Sequence, residues 1–447
     1  MKQEETAQLA VHLVTGILFG MLIISMIAWV PNIGMHEDYF MVPAMTGNEP
    51  DLLSWLWSQN NEHRLPVQRL IYICALWLTG DFRSGMVISQ GLMVWLSLLL
   101  VQAMVKARGG IRLSDVIFPL ALLNLGHWEN LLWGWQIQFV WSIFLTGLLL
   151  FVILRQGPTL AFRDSLIAAV SLCLLPLSGA NGIVTACSMV PWAILTGIYE
   201  VRNNGPKARR TGRVMFAGAL LAVLSSALYF VGYVKPSWSP PLANWPQFVH
   251  AANAYFAMAF GAGSIFFQRP LAVLAVLVCL GGGAASLVAF LRNWRATGGR
   301  AFGLASFIAA GLALGVLIAA ARGTYPYRMP DRYAIFSVMP LLAAFCALEL
   351  FGPVPMRRFM MNTAAIFFLV FLPWNIQAGF AWRDWWVQGM TRVEADIAAN
   401  MTIEEVAHRN FPFLLHGQEE TLRNAITQLQ RAGIGPFALL RPAEQGG

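Results

Sequence analysis

Leu65-Pro66-Val67-Gln68-Arg69-Leu70-Ile71-Tyr72-Ile73-Cys74-Ala75-Leu76-Trp77-Leu78-Thr79-Gly80 is the stretch on which the topology turns. It is apolar but short, and Pro66, Gln68 and Arg69 sit in its first turns. If it crosses a bilayer, the basic segment 106–112 falls on the opposite side from the other basic loops. If it lies along the interface, all basic loops share one side, as the positive-inside rule requires. We read it as an interfacial helix inside a long outer loop, residues 32–83.

Working outward, the chain divides into apolar runs of membrane-spanning length. They lie near 10–31, 84–105, 113–127, 135–154, 164–179, 181–200, 213–234, 270–291, 301–321, 333–351 and 358–375. The third and fifth are short. The expected fold is therefore an all-α polytopic membrane protein of about eleven transmembrane helices, with its N-terminus inside and its C-terminus outside. The first run exceeds a signal-peptide core of roughly 7–15 residues, so it reads as an uncleaved span. Composition agrees: 57% of the 447 residues are hydrophobic and 12% are charged, with a mean hydropathy of +0.59. A soluble two-domain enzyme needs more charge than this.

The net charge of +8 does not point to nucleic acid. Lys106, Arg108 and Arg112 fill one loop, Arg155 and Arg163 the next, and Arg202, Lys207, Arg209, Arg210 and Arg213 a third. Arg292, Arg295, Arg300, Arg357 and Arg358 complete the series. The positive balance is a topology signal, with anionic lipid headgroups as secondary partners. The opposite loops carry Trp55, Trp57, Trp128, Trp133, Trp238 and Trp245, which suit a membrane interface. Five cysteines, all in apolar segments, read as packing residues rather than a disulfide or metal framework.

Two units follow: a membrane domain, 1–375, and a small extracytoplasmic appendage, 376–447. The appendage is expected to hold helices over 391–399, 402–408 and 419–432. Thr402 and Glu405 have capping-box spacing, and Gly433 closes the last helix.

Three polar clusters can carry chemistry. The first is His36-Glu37-Asp38 with Glu62-His63-Arg64, in the first outer loop. Asp38 follows an anchored span by a few residues, so a carboxylate there, or at Glu37, can serve as a general base; it can equally be an N-cap or a solvated loop acid. Arg64 and Arg69 suit a phosphate, or else snorkel to headgroups. The second is His127-Trp128-Glu129-Asn130 with Trp133, Trp135 and Gln136, where aromatic faces and hydrogen-bonding side chains suit sugar rings. The third is Arg322, Arg328 and Arg332 with Tyr325, Tyr327 and Tyr333, where arginines suit a phosphate or diphosphate. His36, His63, His127 and Glu129 have no spacing that supports a metal set.

This order of features resembles the GT-C superfamily of membrane glycosyltransferases. The likeness lies in one span, an outer loop with an acidic pair (Glu37-Asp38), an interfacial helix opened by a proline (Arg64-Leu65-Pro66) and the join Leu78-Thr79-Gly80-Asp81-Phe82-Arg83-Ser84-Gly85. A basic turn at 106–110 and a second outer loop with Glu129-Asn130, similar to protein O-mannosyltransferases, complete it. It also resembles bacterial membrane proteins with an HWEN-LLWG-Q stretch. The layout covers roughly 10–200. The resemblance implies a polyprenyl-phosphate-linked sugar donor and a glycan, lipid or cell-envelope polymer as acceptor. Asp38 or Glu37 would deprotonate the acceptor hydroxyl. Glu129, His127 and Gln136 would orient sugar or acceptor, with Asn130, His36, Glu62 and His63 in support. Arg64, Arg322, Arg328 and Arg332 would hold the lipid phosphate, with Tyr325 flanking the lipid or sugar. It implies a bacterial inner membrane, with the site on the periplasmic face. The competing readings are a lipid-linked glycan flippase, and an O-antigen polymerase or ligase with a lipid-diphosphate donor.

Overall fold

The computed structural model describes residues 2–203, 205–237, 239, 241–324 and 329–441, and only the backbone of Asn203, Arg295, Met356 and Arg358. Tyr325, Tyr327 and Arg328 of the late arginine cluster, and Trp238, lie outside the described residues.

The chain is helical almost throughout. In order come α1 (Lys2–Trp29), α2 (Pro66–Thr79), α3 (Arg83–Arg108), α4 (Ile137–Arg155), α5 (Phe162–Leu174), α6 (Ala180–Asn203) and α7 (Pro206–Tyr229). Then follow α8 (Trp245–Ala257), α9 (Gln268–Arg292), α10 (Trp294–Arg322), α11 (Ala334–Phe351), α12 (Val354–Ala398), α13 (Ile403–Leu414) and α14 (Glu419–Ala432). The one sheet among the described residues is a two-stranded hairpin, Gln59–Asn60 against His63–Arg64. Nine helices among the described residues are long and apolar enough to cross a membrane: α1, α3, α4, α6, α7, α9, α10, α11 and α12. The protein is thus a membrane-embedded, all-α bundle.

Which helices form the axis follows from their sequences. α4 and α11 are apolar on every face, and 89% of each one's apolar window is buried inside the protein. A helix hydrophobic all round belongs in an interior, whereas α1, 33% buried, turns one side outward to lipid. The 14-residue helix α2 contains the deciding stretch. It is too short to span, since 1.5 Å per residue gives only about 21 Å. Gly80, with φ 63°, closes it in a left-handed cap that a side chain rarely adopts.

Both ends of α11 are marked by ion pairs. At its start, Arg332 meets Glu129 at 2.5 Å. At its far end, Glu349 meets Arg108 at 3.0 Å and Arg112 at 2.5 Å, with Asp115 2.6 Å from Arg108. The segment between Arg112 and Glu129 therefore runs the length of α11. It is not the continuous helix expected over 113–127. It breaks into a 3₁₀ turn, Leu113–Val116, a six-residue helix, Ile117–Leu122, and a second 3₁₀ turn, Leu125–His127. The reason is local: Asn124 turns its side-chain amide back to the Leu120 carbonyl at 2.8 Å and accepts from Gly126 N at 2.9 Å. The irregular backbone is buried within the bundle, the setting in which such backbone survives at membrane depth.

The span expected over 164–179 is shorter too. α5 has 13 residues, and Pro176 opens a 3₁₀ turn where it ends. Asp164 near its start pairs with Arg155 at 3.3 Å, and Gly179 beyond its end packs against Leu65.

The tail departs from expectation at its root. No break separates 375 from 376: α12 continues for 45 residues, about 67 Å at 1.5 Å per residue, through the segment expected as a separate helix at 391–399. Asn375 is buried inside it, donating to Phe260 O at 3.0 Å and accepting from Gly263 N at 2.9 Å. Beyond it the expected caps are present. Thr402 Oγ1 accepts from Glu405 N at 3.2 Å, Glu405 Oε2 accepts from Thr402 N at 2.9 Å, and Gly433 is left-handed at φ 67°. α14 folds back on the first outer loop, where Thr46 donates to Gln428 at 3.3 Å. Between α7 and α9 lies α8, capped by Asn244 and Gln247.

Candidate functional site

At the end of the bundle that bears the tail lies a cavity of about 340 Å³. Three distant stretches build it. The first loop supplies His36, Glu37 and Asn61; the second supplies Trp128, Glu129 and Trp133; α12 supplies Trp382, Trp385 and Trp386. Arg332 closes one side, and His416 and Gln418, from the turn between α13 and α14, close the top.

The charged centre is the Glu129–Arg332 pair. Glu129 accepts from Arg332 twice, from the backbone N at 2.8 Å and from Nη1 at 2.5 Å. The side chain of Asn130 reaches the Arg332 carbonyl at 3.0 Å. These bonds lock the second loop to the head of α11. Trp128 adds a bond from Nε1 to Asp331 at 3.3 Å.

Glu37 faces this pair. Burial pushes its carboxyl above the usual range, although the Arg332 charge pulls the other way; Glu129 adds to the rise. Burial and then the Arg332 charge push the His36 imidazole down to about 4, so it is neutral. His36 has φ 49°, and Asn61 has φ 51°. Both are non-glycine residues in the left-handed region, and both line the cavity. Such strain is costly and is retained where surrounding structure holds it, often at ligand sites.

Asp38, expected as the base, is not in the cavity wall. It is buried, with 1% exposure. Its Oδ2 accepts from Met35 N at 3.0 Å, capping the 3₁₀ helix His36–Met41, and its Oδ1 accepts from Tyr72 Oη at 2.8 Å. Burial raises its carboxyl to about 7. Asp38 ties the first loop to α2, and through Tyr72 to Phe82 O at 3.2 Å. Gly134 makes this junction possible, because a Cβ there would stand 2.3 Å from Tyr72 Oη.

Other expected ligands are used in holding the loops together. Arg64 is buried and donates to Trp57 O, Tyr229 O and Val231 O at 2.8, 3.0 and 2.8 Å. These carbonyls occupy a guanidinium expected to hold phosphate. Arg69 is likewise turned to Trp55 O and Ser58 O. Arg322 pairs with Glu62, which also accepts from Ser239 at 2.8 Å. Burial alone would raise the Glu62 carboxyl, but Arg322 and Ser239 outweigh it and hold it low. Burial, then the Arg322 charge, brings the adjacent His63 down to about 4. His127 is buried, its Nε2 2.8 Å from Ala121 O, and it does not line the cavity. Gln136 is buried outside the cavity wall as well. Of the expected residues, then, His36, Glu37, Glu129 and Arg332 meet in one cavity, with Asn130 behind them. Among the described residues, no three His, Cys, Asp or Glu side chains gather as a metal site.

Sequence reasoning missed Asn61, Trp382, Trp385, Trp386, His416 and Gln418 as cavity residues. The tryptophans carried a usable signal: spacing at i, i+3 and i+4 sets all three on one helical face. Trp382 stacks on Trp128 with centroids 4.8 Å apart and lies 4.9 Å from Trp386. His416 and Gln418 carried no such signal, since only the fold-back of the tail brings them over the cavity. Comparison with family models, curated proteins and solved structures returned no match.

Proposed function

We propose that the protein is an integral-membrane glycosyltransferase. On this reading it moves a sugar from a polyprenyl-phosphate-linked donor to an acceptor hydroxyl at the tail-bearing face. The observation that carries the reading is the joining of Glu37, the Glu129–Arg332 pair and a tryptophan wall in one cavity at the end of a lipid-embedded bundle. Glu37 is the base, because its raised pKa brings a carboxylate nearer neutral pH, where general-base catalysis is most effective. Arg332 offers positive charge to the departing lipid phosphate, and Glu129 holds that guanidinium in place. Glu62 and Arg322 brace the neighbouring loops.

Eleven crossings fit this reading: nine long helices, plus the broken segment 113–127 and α5 with its 3₁₀ extension. The first of these two runs between ion pairs at opposite ends of α11, and α5 starts at the Arg155 pair and leads to Leu65. Basic residues at the end opposite the cavity support an N-terminus inside and a periplasmic site in a bacterial inner membrane. Polar clustering at one end favours transfer over a flippase cycle, which needs sites open to both leaflets.

The test is transfer by purified protein in lipid nanodiscs, supplied with radiolabelled polyprenyl-phosphate sugars. Glu37→Gln is expected to lower turnover about 10²–10⁴-fold, the contribution typical of a general base, without loss of folded protein. Unchanged turnover in Glu37→Gln removes the assignment of the base. Retained donor affinity in Arg332→Gln removes the phosphate contact.

A further inference from the structure

The polar half of the cavity answers to the sugar-transfer chemistry, but the other half does not need to be built as it is. Three tryptophans from α12 and two from the second loop line an opening small enough for a single small ligand. Trp382 and Trp386 are buried at 6% and 1% exposure, whereas Trp385 is 49% exposed. Trp385 leans edge-on against Phe413 of α13, with centroids 5.2 Å apart. The buried indole Nε1–H of Trp386 has no hydrogen-bond partner. A buried donor left unpaired costs free energy, so a partner supplied by a ligand would restore it. The turn bearing His416 and Gln418 puts polar groups opposite these rings.

We infer that this tryptophan wall and the 415–418 turn form a subsite for a neutral saccharide ring, the acceptor end of a glycan. A pyranose has an apolar C–H face and a polar rim. The exposed Trp385 ring suits the first, and the Trp386 N–H with Gln418 suits the second. The sign of the site selects against acidic sugars, because the cavity sets two carboxylates, Glu37 and Glu129, against the one arginine, Arg332. A purely lipid acceptor would gain nothing from the unpaired donor. The inference rests on the transferase reading for the fate of the sugar, though not for its binding.

Titration calorimetry on the full chain in nanodiscs tests it, with maltose, lactose, methyl α-mannoside and glucuronate as probes. At least one neutral probe is expected to bind saturably, and glucuronate is expected not to compete. Trp385→Ala and Trp386→Phe are each expected to weaken that binding by about tenfold, in line with the loss of one aromatic or hydrogen-bond contact. Trp386→Phe removes the N–H but also shrinks a buried ring, so Gln418→Ala, on an exposed turn, gives a second variant that leaves packing untouched. If none of the neutral probes binds, or if all three variants bind like the parent, the subsite is wrong. Saccharide binding without any transfer from polyprenyl-phosphate sugars keeps the subsite and removes the transferase reading. Transfer to a lipid acceptor without saccharide binding does the reverse.

Discussion

Asp38 and Glu37 are neighbours in sequence with opposite settings, and the difference is one of side-chain direction. Sequence placed both at the mouth of the first loop. It could not tell which carboxylate turns inward, because that depends on Tyr72 and the Met35 amide, contacts made only after α2 has docked. Asp38→Asn is therefore expected to retain transfer within a few-fold, whereas Glu37→Gln is not. A stability measurement separates the two further. The folded-state pKa of Asp38, about 7, lies above its ordinary value of 3.8. Between those values the folded protein holds a proton that the unfolded chain releases, so this group's contribution to stability falls as pH rises from about 4 to about 7. Thermal melts at pH 5 and pH 8 should show a smaller difference in Asp38→Asn than in the parent. An equal difference in both would mean that Asp38 does not titrate in this window. On the proposed mechanism Glu37 acts on rate instead. As a base it must be ionised, so its raised pKa means that turnover is lost as pH falls through a value above the usual carboxylate range, and Glu37→Gln should abolish that limb of the profile.

At the scale of elements, hydropathy and caps were the legible part. The short helix α2, the capping box at Thr402 and the glycine stop at Gly433 all depend on near neighbours in sequence, and all three stand in the structure. What hydropathy could not resolve was continuity. An apolar run broken by Asn124 has the same average as an unbroken helix, and a run that leaves the apolar zone at 376 can still be one helix. The charges at the basic end were also only half legible. Arg108 reads as a loop cation, yet it is a buried partner of Asp115 and Glu349, with side chains 6%, 0% and 2% exposed. Removing it leaves two buried carboxylates with Arg112 alone. Arg108→Ala should cost about 3–5 kcal/mol, as expected when one member of a buried ionic cluster is removed. The check is a lowered thermal midpoint in detergent, partly recovered by adding Asp115→Asn.

For the whole molecule, the proposed sidedness makes a direct prediction. With the native cysteines replaced, a single cysteine introduced as Lys207→Cys should react with impermeant maleimide only from the inner side. One introduced as Gln418→Cys should react only from the outer side. Labelling of both from one side would overturn the arrangement and, with it, the eleven-crossing count. The candidate site was legible in its polar half because acids, a histidine and an arginine stand out in an apolar chain. Its aromatic half was legible only in Trp128 and Trp133; the α12 tryptophans share a helical face, but which cavity that face borders is set only by a fold-back such as that of α14.

The continuous α12 joins lipid to cavity in one helix: its first part sits among the spans, its last part carries Trp382, Trp385 and Trp386, and Pro373 between them leaves one backbone hydrogen bond of the ladder unmade. A helix of this kind responds to hydrophobic mismatch. In a bilayer thinner or thicker than its apolar length it changes tilt, and the part of that change not taken up by bending at Pro373 reaches the tryptophans. Acyl-chain length should thus act on this protein as an adjustable parameter. In nanodiscs of short-, medium- and long-chain phosphatidylcholine, acceptor KM is expected to pass through a minimum at one thickness, and a KM that is flat across the series would show that the helix bends before the cavity does.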